Sequence, residues 1–424
     1  MEKTRVLIVG DSLANITGLS YVGLNFLKFF IKSKKYEVQY AVITGAKINN
    51  ENMIMVKESG NTAMFENVVF HNIIDKDKQK EIFEKIVTTF KPHIVFTITD
   101  PWHLEIVAYS SLKESYYWIM YTTLEVPFYT DRVCSPSKLT KRNYISIHEI
   151  FKKVDLIIPV TNMGKQFFID MKFNNVCTTN IYNGLDIDKK CNLSLKKSEI
   201  FKGQVNDDDF LFMTMGVNSE RKMLDHTLLI FSKFLKTLDK PEKCKLYLHS
   251  NVYYSFGGTD LVQVIYDLDI GNNIIALGND TLTAKEELYK FYKVCDCYMA
   301  YPGGEGFSYG FAESMMHGKP VIYSNYGGHP EFATNGGLSV KIKEYRYAMK
   351  MGIKWGITDV DDAVDIMMRI YKDEQLRKDL GNSGEKWVKV NLDWSVIYGK
   401  LNNVLEVEYH SKKNLYGFNL KRII

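Results

Sequence analysis

Residues 295–324 read CDCYMAYPGGEGFSYGFAESMMHGKPVIYS. CDCYMAY (295–301) is a short apolar run without polar alternation, the pattern of a strand covered on both faces. Gly303, Gly304 and Gly306 follow, and such a turn lets backbone approach a ligand closely while the N–H groups opening the next helix favour an anion. FAESMMHG is helix-like, and KPVIYS (319–324) is the next strand. Glu305 stands in the turn and Glu313 about one helical turn into the helix. A carboxylate accepts from two vicinal hydroxyls at once, as an acidic residue does on a ribose diol. Set between strand, glycine turn, helix and strand, the two glutamates mark a phosphate- or sugar-binding site.

The same rhythm extends in both directions. Before this stretch come FLFMTMG (210–216), KCKLYLH (243–249) and NNIIALG (272–278), alternating with helix-like segments at Lys222 to Leu238 and Ala284 to Lys293. The first half repeats it with RVLIVG (5–10), YEVQYAVI (36–43), HIVFTIT (93–99), YYWIMY (116–121) and DLIIPV (155–160), separated by Leu19 to Lys32 and Gln79 to Phe90. The spacing predicts two doubly wound α/β domains. The polar stretch before 210 sets the boundaries: 1–190 the first domain, 191–209 a linker, 210–390 the second, and 391–424 a helical segment returning to the first. Val360 to about Glu408 reads as helical. In open α/β sheets, ligands lie beyond the carboxyl ends of the strands.

Bulk composition agrees. A chain of 424 residues is long enough for two cores, and 46% hydrophobic with 25% charged residues is ordinary for a globular protein. The net charge of +4 gives no electrostatic case for a nucleic-acid partner. Lysine-rich stretches at Lys32 to Lys35, Lys138 to Arg142 and Lys152–Lys153 read as solvated faces, and the aromatic, lysine-bearing helix Tyr21 to Lys35 raises a weak peripheral membrane contact. Six scattered cysteines read as reduced thiols of a cytoplasmic protein, and no apolar run approaches the roughly 20 residues of a membrane span. His317 and His329 flank the glycine turn without partners at metal-ligand spacing, so structural roles and no metal are expected.

EGFSYGFAESMMHGKPVIYSNYGGHPEF resembles the E-x7-E signature of the family 4 retaining glycosyltransferases (glycosyl transferase group 1), and similarity runs from VLIVG to about Leu380. That resemblance implies the GT-B fold, two Rossmann-like domains facing each other across a cleft, with the first on the acceptor side. It implies that Glu313 binds the donor ribose, and that Glu305 with the backbone of Gly306, Phe307 and Ser308 holds the donor sugar. MGVNSERKML (215–224) resembles the family's diphosphate-binding strand, turn and helix: it opens at Gly216, Lys222 matches the lysine, Arg221 stands beside it, and Val217 replaces the usual arginine. Gly18 matches the second glycine of a turn near the donor phosphates, with Thr17 in place of the first. Asp100-Pro101-Trp102-His103 resembles an acidic-Pro motif; Thr99 takes the usual histidine's place, which leaves Asp100 and His103 to orient acceptor or donor. Glu125 matches a loop acidic position.

The implied activity is retaining transfer of a hexose or N-acetylhexosamine from a UDP- or GDP-sugar to a glycan, lipid-linked or protein-linked hydroxyl, with no obligatory metal or cofactor. Two cations beside a diphosphate stabilise the leaving nucleotide as charge builds on its terminal phosphate. The alternatives are a sugar-nucleotide epimerase of similar fold and a catalytically silent nucleotide-sugar binder. The sequence is silent on the donor's base and on oligomeric state.

Overall fold

The computed structural model describes residues 2–15, 17–48, 65, 68–127, 134–136, 144–253, 257–276, 285–348 and 353–411. The basic stretch Lys138 to Arg142 lies outside them. The chain divides into two compact units, one of residues 1–123, 128–183 and 397–424, the other of 124–127 and 184–396.

The first unit holds a six-stranded parallel sheet of β1 (Thr4–Asp11), β2 (Tyr36–Thr44), β3 (Val69–Asn72), β4 (Ile94–Ile98), β5 (Tyr117–Thr122) and β6 (Leu156–Pro159), in the order β3-β2-β1-β4-β5-β6. Val6 to Val9 and Ile94 to Phe96 have no solvent exposure, as expected of strands covered on both faces. The order reverses between β1 and β4, which pair in parallel from Val6↔Ile94 to Gly10↔Ile98. Helix α1 (Gly18–Lys32) follows β1; Thr17 caps it by accepting from Ser20 N, and Phe26, Leu27 and Phe30 are fully buried.

The second unit repeats that topology with β7 (Phe210–Met215), β8 (Cys244–His249), β9 (Ile274–Ala276), β10 (Cys297–Ala300), β11 (Val321–Ser324) and β12 (Gly337–Val340), ordered β9-β8-β7-β10-β11-β12. Here the reversal falls between β7 and β10. Helix α2 (Leu224–Leu235) buries Leu228, Phe231 and Phe234 against Phe212 and Leu246 of the sheet, each side chain contributing about 1.5–3 kcal/mol. A separate antiparallel hairpin, β13 (Ile342–Tyr347) with β14 (Lys354–Thr358), follows β12.

Four features depart from expectation. Residues 69–72, 337–340 and the hairpin form strands that no apolar run announced. Residues 191–209, expected as a linker, pack into the second unit: Lys197 Nζ lies 2.6 Å from Asp296 Oδ2, and Asp209 is buried. The long C-terminal helical stretch is broken into α3 (Val360–Lys372), α4 (Glu374–Asn391) and α5 (Trp394–Val404), ending in a π-helical turn at Leu405–Ser411. Asp373 makes the first break because its side chain accepts from Leu376 N and so caps α4. The segment Lys222 to Leu238, expected as one helix, starts with a 3₁₀ turn at Glu220–Lys222 and bends at Met223, whose φ of 48° is left-handed.

Among the described residues no helix is long and apolar enough to cross a membrane, and no group of three His, Cys, Asp or Glu is placed to hold a metal.

Candidate functional site

The carboxyl ends of β7 and β10 deliver two loops to one place. Gly216 to Met223 leave β7, and Tyr301 to Ser308 leave β10. The loops are tied through backbone: Gly303 N donates to Arg221 O at 2.8 Å, and Gly303 O accepts from Gly356 N of the hairpin at 2.8 Å. A Cβ at Gly303 would stand 2.5 Å from Met223 Cε and 2.7 Å from Trp355 Cβ, so only glycine fits between them.

Glu305 is the centre of the charge cluster. Its Oε2 accepts from Lys222 Nζ at 2.6 Å and lies 3.2 Å from Arg221 Nη1. Arg221 also donates from Nη1 to Gly304 O at 3.1 Å and reaches Glu125 Oε1 from Nε at 2.9 Å. Burial pushes the Glu305 carboxyl up, but the adjacent Lys222 and Arg221 outweigh it and hold the group at about 2. The carboxylate is therefore charged across the physiological range. The stem of Lys222 runs past Gly216, where an added Cβ would meet its Cδ at 3.3 Å.

The backbone of Glu305 is clamped from behind. Its carbonyl accepts from Gly328 N at 2.8 Å and from His329 N at 3.3 Å, and the His329 ring adds Nδ1 at 3.2 Å. Gly327, at φ 101°, passes so close that a Cβ would sit 2.7 Å from Glu305 O and 2.8 Å from Glu125 O. His329 has no solvent exposure, and its Nε2 lies 3.0 Å from Ser324 O. Burial lowers its imidazole to about 4, so at physiological pH the neutral ring carries one N–H and donates to Glu305 O or to Ser324 O, not to both. His317 is likewise buried and lowered to about 4. Its Nε2 accepts from Cys191 N at 3.2 Å, which leaves Nδ1 to donate to Glu313 O at 2.7 Å.

Gly306, Phe307 and Ser308 complete the turn. Phe307 is buried and its ring lies 4.9 Å from that of Phe332. Ser308 opens the helix Tyr309–Met316 at φ 60°, a left-handed backbone that a residue with a side chain seldom adopts. Within this helix Glu313 is 1% exposed, with Oε1 3.4 Å from Lys285 Nζ. The structure thus gives Glu313 a buried cationic partner that its spacing from Glu305 did not announce.

The remaining expected residues belong to the first unit. Gly18 is the first residue of α1. Asp100 precedes the short 3₁₀ turn Pro101–His103 without capping it through its side chain. Burial lowers the His103 imidazole, and Lys76 adds to the effect. Thr99 donates to Asp11 Oδ1 at 2.7 Å, which gives the residue in the family's histidine position a partner at the end of β1.

Sequence reasoning missed three participants. Glu125 was matched only as a loop acid, yet residues 124–127 pack in the second unit and its carboxylate meets Arg221. Asp11 and Lys285 carried no signal beyond residue type. A search for acidic residues at the carboxyl end of the first strand would have raised Asp11.

Residues 196–387 match the model of a family described as glycosyl transferases group 1. The chain is 23% identical over 260 residues to an uncharacterized glycosyltransferase of Methanocaldococcus jannaschii, covering 58% of this chain and 56% of that protein. It thus spans little more than half the length of that curated relative. Among solved structures, Anabaena HepE in complex with UDP and glucose superposes with a TM-score of 0.67 at 15% identity, covering 95% of this chain and 99% of that one. A glycosyltransferase from Rickettsia africae gives a TM-score of 0.68 at 14% identity, covering 98% and 100%. Sucrose-phosphate synthase from Thermosynechococcus elongatus gives 0.67 at 13%, covering 96% and 100%. The matched segment contains both loops with Lys222, Arg221 and Glu305; over it the chain is similar to the glycosyl transferase group 1 family, and its fold is the GT-B fold of these solved structures.

Proposed function

We propose that the protein transfers a hexose or N-acetylhexosamine from a nucleoside diphosphate sugar, UDP- or GDP-linked, to a hydroxyl of a glycan, lipid-linked or protein-linked acceptor. The observation that supports it most is the convergence of Lys222, Arg221 and Glu305 at the strand reversal of the second sheet, where open α/β folds bind nucleotides. The ammonium and guanidinium now neutralise Glu305. An arriving diphosphate competes for the same two cations, and as the sugar departs they stabilise the charge growing on its terminal phosphate. Glu305, released, accepts from hydroxyls of the bound sugar. Likeness to the retaining family supports retention, with the leaving phosphate taking the acceptor's proton on the same face. Of the solved relatives, HepE has been crystallised with UDP-glucose, which makes that donor the first to try.

A thermal-shift screen against UDP-, GDP- and ADP-sugars tests the reading, because a ligand that binds only the folded state raises Tm. The expected result is a rise with one nucleotide class, followed by sugar transfer to an added acceptor. Turnover of the donor to an epimer without acceptor would replace transfer by epimerisation. Binding with no turnover across a broad acceptor panel would leave a silent nucleotide-sugar binder.

A further inference from the structure

The hairpin β13–β14 stands outside the six-stranded sheet and is fixed at the donor loop. Trp355 is buried against Gly303, and Gly356 N donates to Gly303 O. Strand alternation gives the hairpin two faces. Glu344, Arg346 and Ile357 line an open hollow of about 230 Å³ together with Asp225 and His226 on one side. On the other side lie Tyr345 and Tyr347, opposite Gly356 and Lys354 in the register.

That second face is built as an aromatic row. Tyr326, from the loop that backs Glu305, lays its ring 5.2 Å from that of Tyr345 and donates from Oη to Lys354 O at 3.0 Å. Gly356 makes room for it, since a Cβ there would lie 2.8 Å from Tyr326 Cδ1. Lys354 Nζ sits 5.3 Å from the centre of the Tyr347 ring. Tyr345 and Tyr347 are nevertheless 56% and 68% exposed. Two neighbouring tyrosines exposed on one face of the hairpin form a contact surface rather than part of a core.

We infer that Tyr326, Tyr345 and Tyr347 with Lys354 form an acceptor subsite for a saccharide chain that carries negative charge. The inference rests on the glycosyl-transfer reading above. Three properties select this occupant. Tyrosine presents an apolar ring face to the C–H face of a pyranose and a hydroxyl to its oxygens. The row starts at Tyr326, whose next residue, Gly327, abuts the Glu305 backbone, so a chain lying on it is continuous with the donor-sugar turn. On this face stands Lys354, while Glu344, the acidic residue of the described hairpin strands, lies on the opposite face with Arg346, so the charge beside the tyrosines complements uronate or phosphate groups.

The test uses the full chain and its Tyr345→Ser/Tyr347→Ser and Lys354→Gln variants. Each is titrated with a panel of oligosaccharides: hyaluronan, alginate, polygalacturonate and phosphomannan fragments as the acidic set, cello-, malto- and chito-oligosaccharides as the neutral set. At least one acidic fragment is expected to bind, with affinity at least tenfold lower in the double variant and severalfold lower in Lys354→Gln. The UDP-glucose thermal shift of the double variant stays at the wild-type value. Absence of binding across the panel overturns the subsite, and so does binding unchanged in the double variant. Neutral fragments binding as tightly as acidic ones overturn the charge assignment. Tyrosine-dependent binding to phosphatidylglycerol vesicles but to no oligosaccharide makes the face a membrane contact instead. Failure of the wild-type protein to respond to any nucleotide sugar strikes the donor reading alone and is scored separately.

Discussion

Lys222 Nζ lies 2.6 Å from Glu305 Oε2, and the two residues come from loops that leave different strands of one sheet. On the proposed reading, a diphosphate shares Lys222 with that carboxylate. Removing the cation should therefore harm turnover more than folding. Lys222→Ala is expected to lower kcat by about 100- to 1,000-fold, the usual effect of losing one group that stabilises transition-state charge. Circular dichroism should remain that of the wild type. Full activity in both Lys222→Ala and Glu305→Ala would remove the site from this cluster.

The same pair fixes an acid limit. A carboxyl held at about 2 when folded titrates near 4.3 when unfolded, so its contribution is complete above about 4.3 and disappears as pH falls toward 2. Fully realised, the shift corresponds to about 3 kcal/mol as an upper bound. Denaturant midpoints of wild type and Glu305→Gln should differ at pH 6 and converge by pH 2. A constant gap across that range would mean the carboxylate is not held by its cations.

His317 and His329 act in a higher window. Both are neutral in the folded chain down to about 4, whereas an unfolded imidazole charges near 6.5. The unfolded state thus binds more protons between those values, and stability falls as pH drops from about 6.5 to 4, by at most about 3 kcal/mol for each ring. His317→Gln or His329→Gln should each flatten that slope when urea midpoints are followed with pH, whatever its effect at pH 8. An unchanged slope in both would show that neither ring resists protonation.

Gly304 faces Val126 so closely that any Cβ would overlap the valine's Cγ1. Gly304→Ala should therefore cost about 1–3 kcal/mol by overpacking. Val126→Ala should cost less in the Gly304→Ala background than in the wild type. Additive costs in the double-mutant cycle would mean that the two positions do not touch.

Much of the second sheet was legible because its strands are buried on both faces, and unbroken apolar runs such as FLFMTMG have few other readings. The turn between β10 and the following helix was legible from glycine, whose spacing has a direct backbone meaning. Lys222 and Arg221 were placed by resemblance, and their approach to Glu305 could not be read locally because 83 and 84 residues separate them from it. Glu125 was harder still, since a four-residue piece packs apart from its chain neighbours. The hairpin escaped because KEYRY alternates between tyrosine and charge with little apolar content, which reads as a loop until its partner strand is known.

Ser308 holds a left-handed backbone that glycine would adopt at lower cost, by about 1–3 kcal/mol. The turn is thus a small store of free energy next to Glu305. A ligand that lets Ser308 relax draws part of its affinity from the protein itself. A ligand that needs the turn as it stands finds its template already set. Ser308→Gly should raise Tm in either case, while the sign of its effect on nucleotide-sugar affinity distinguishes a spring from a mould.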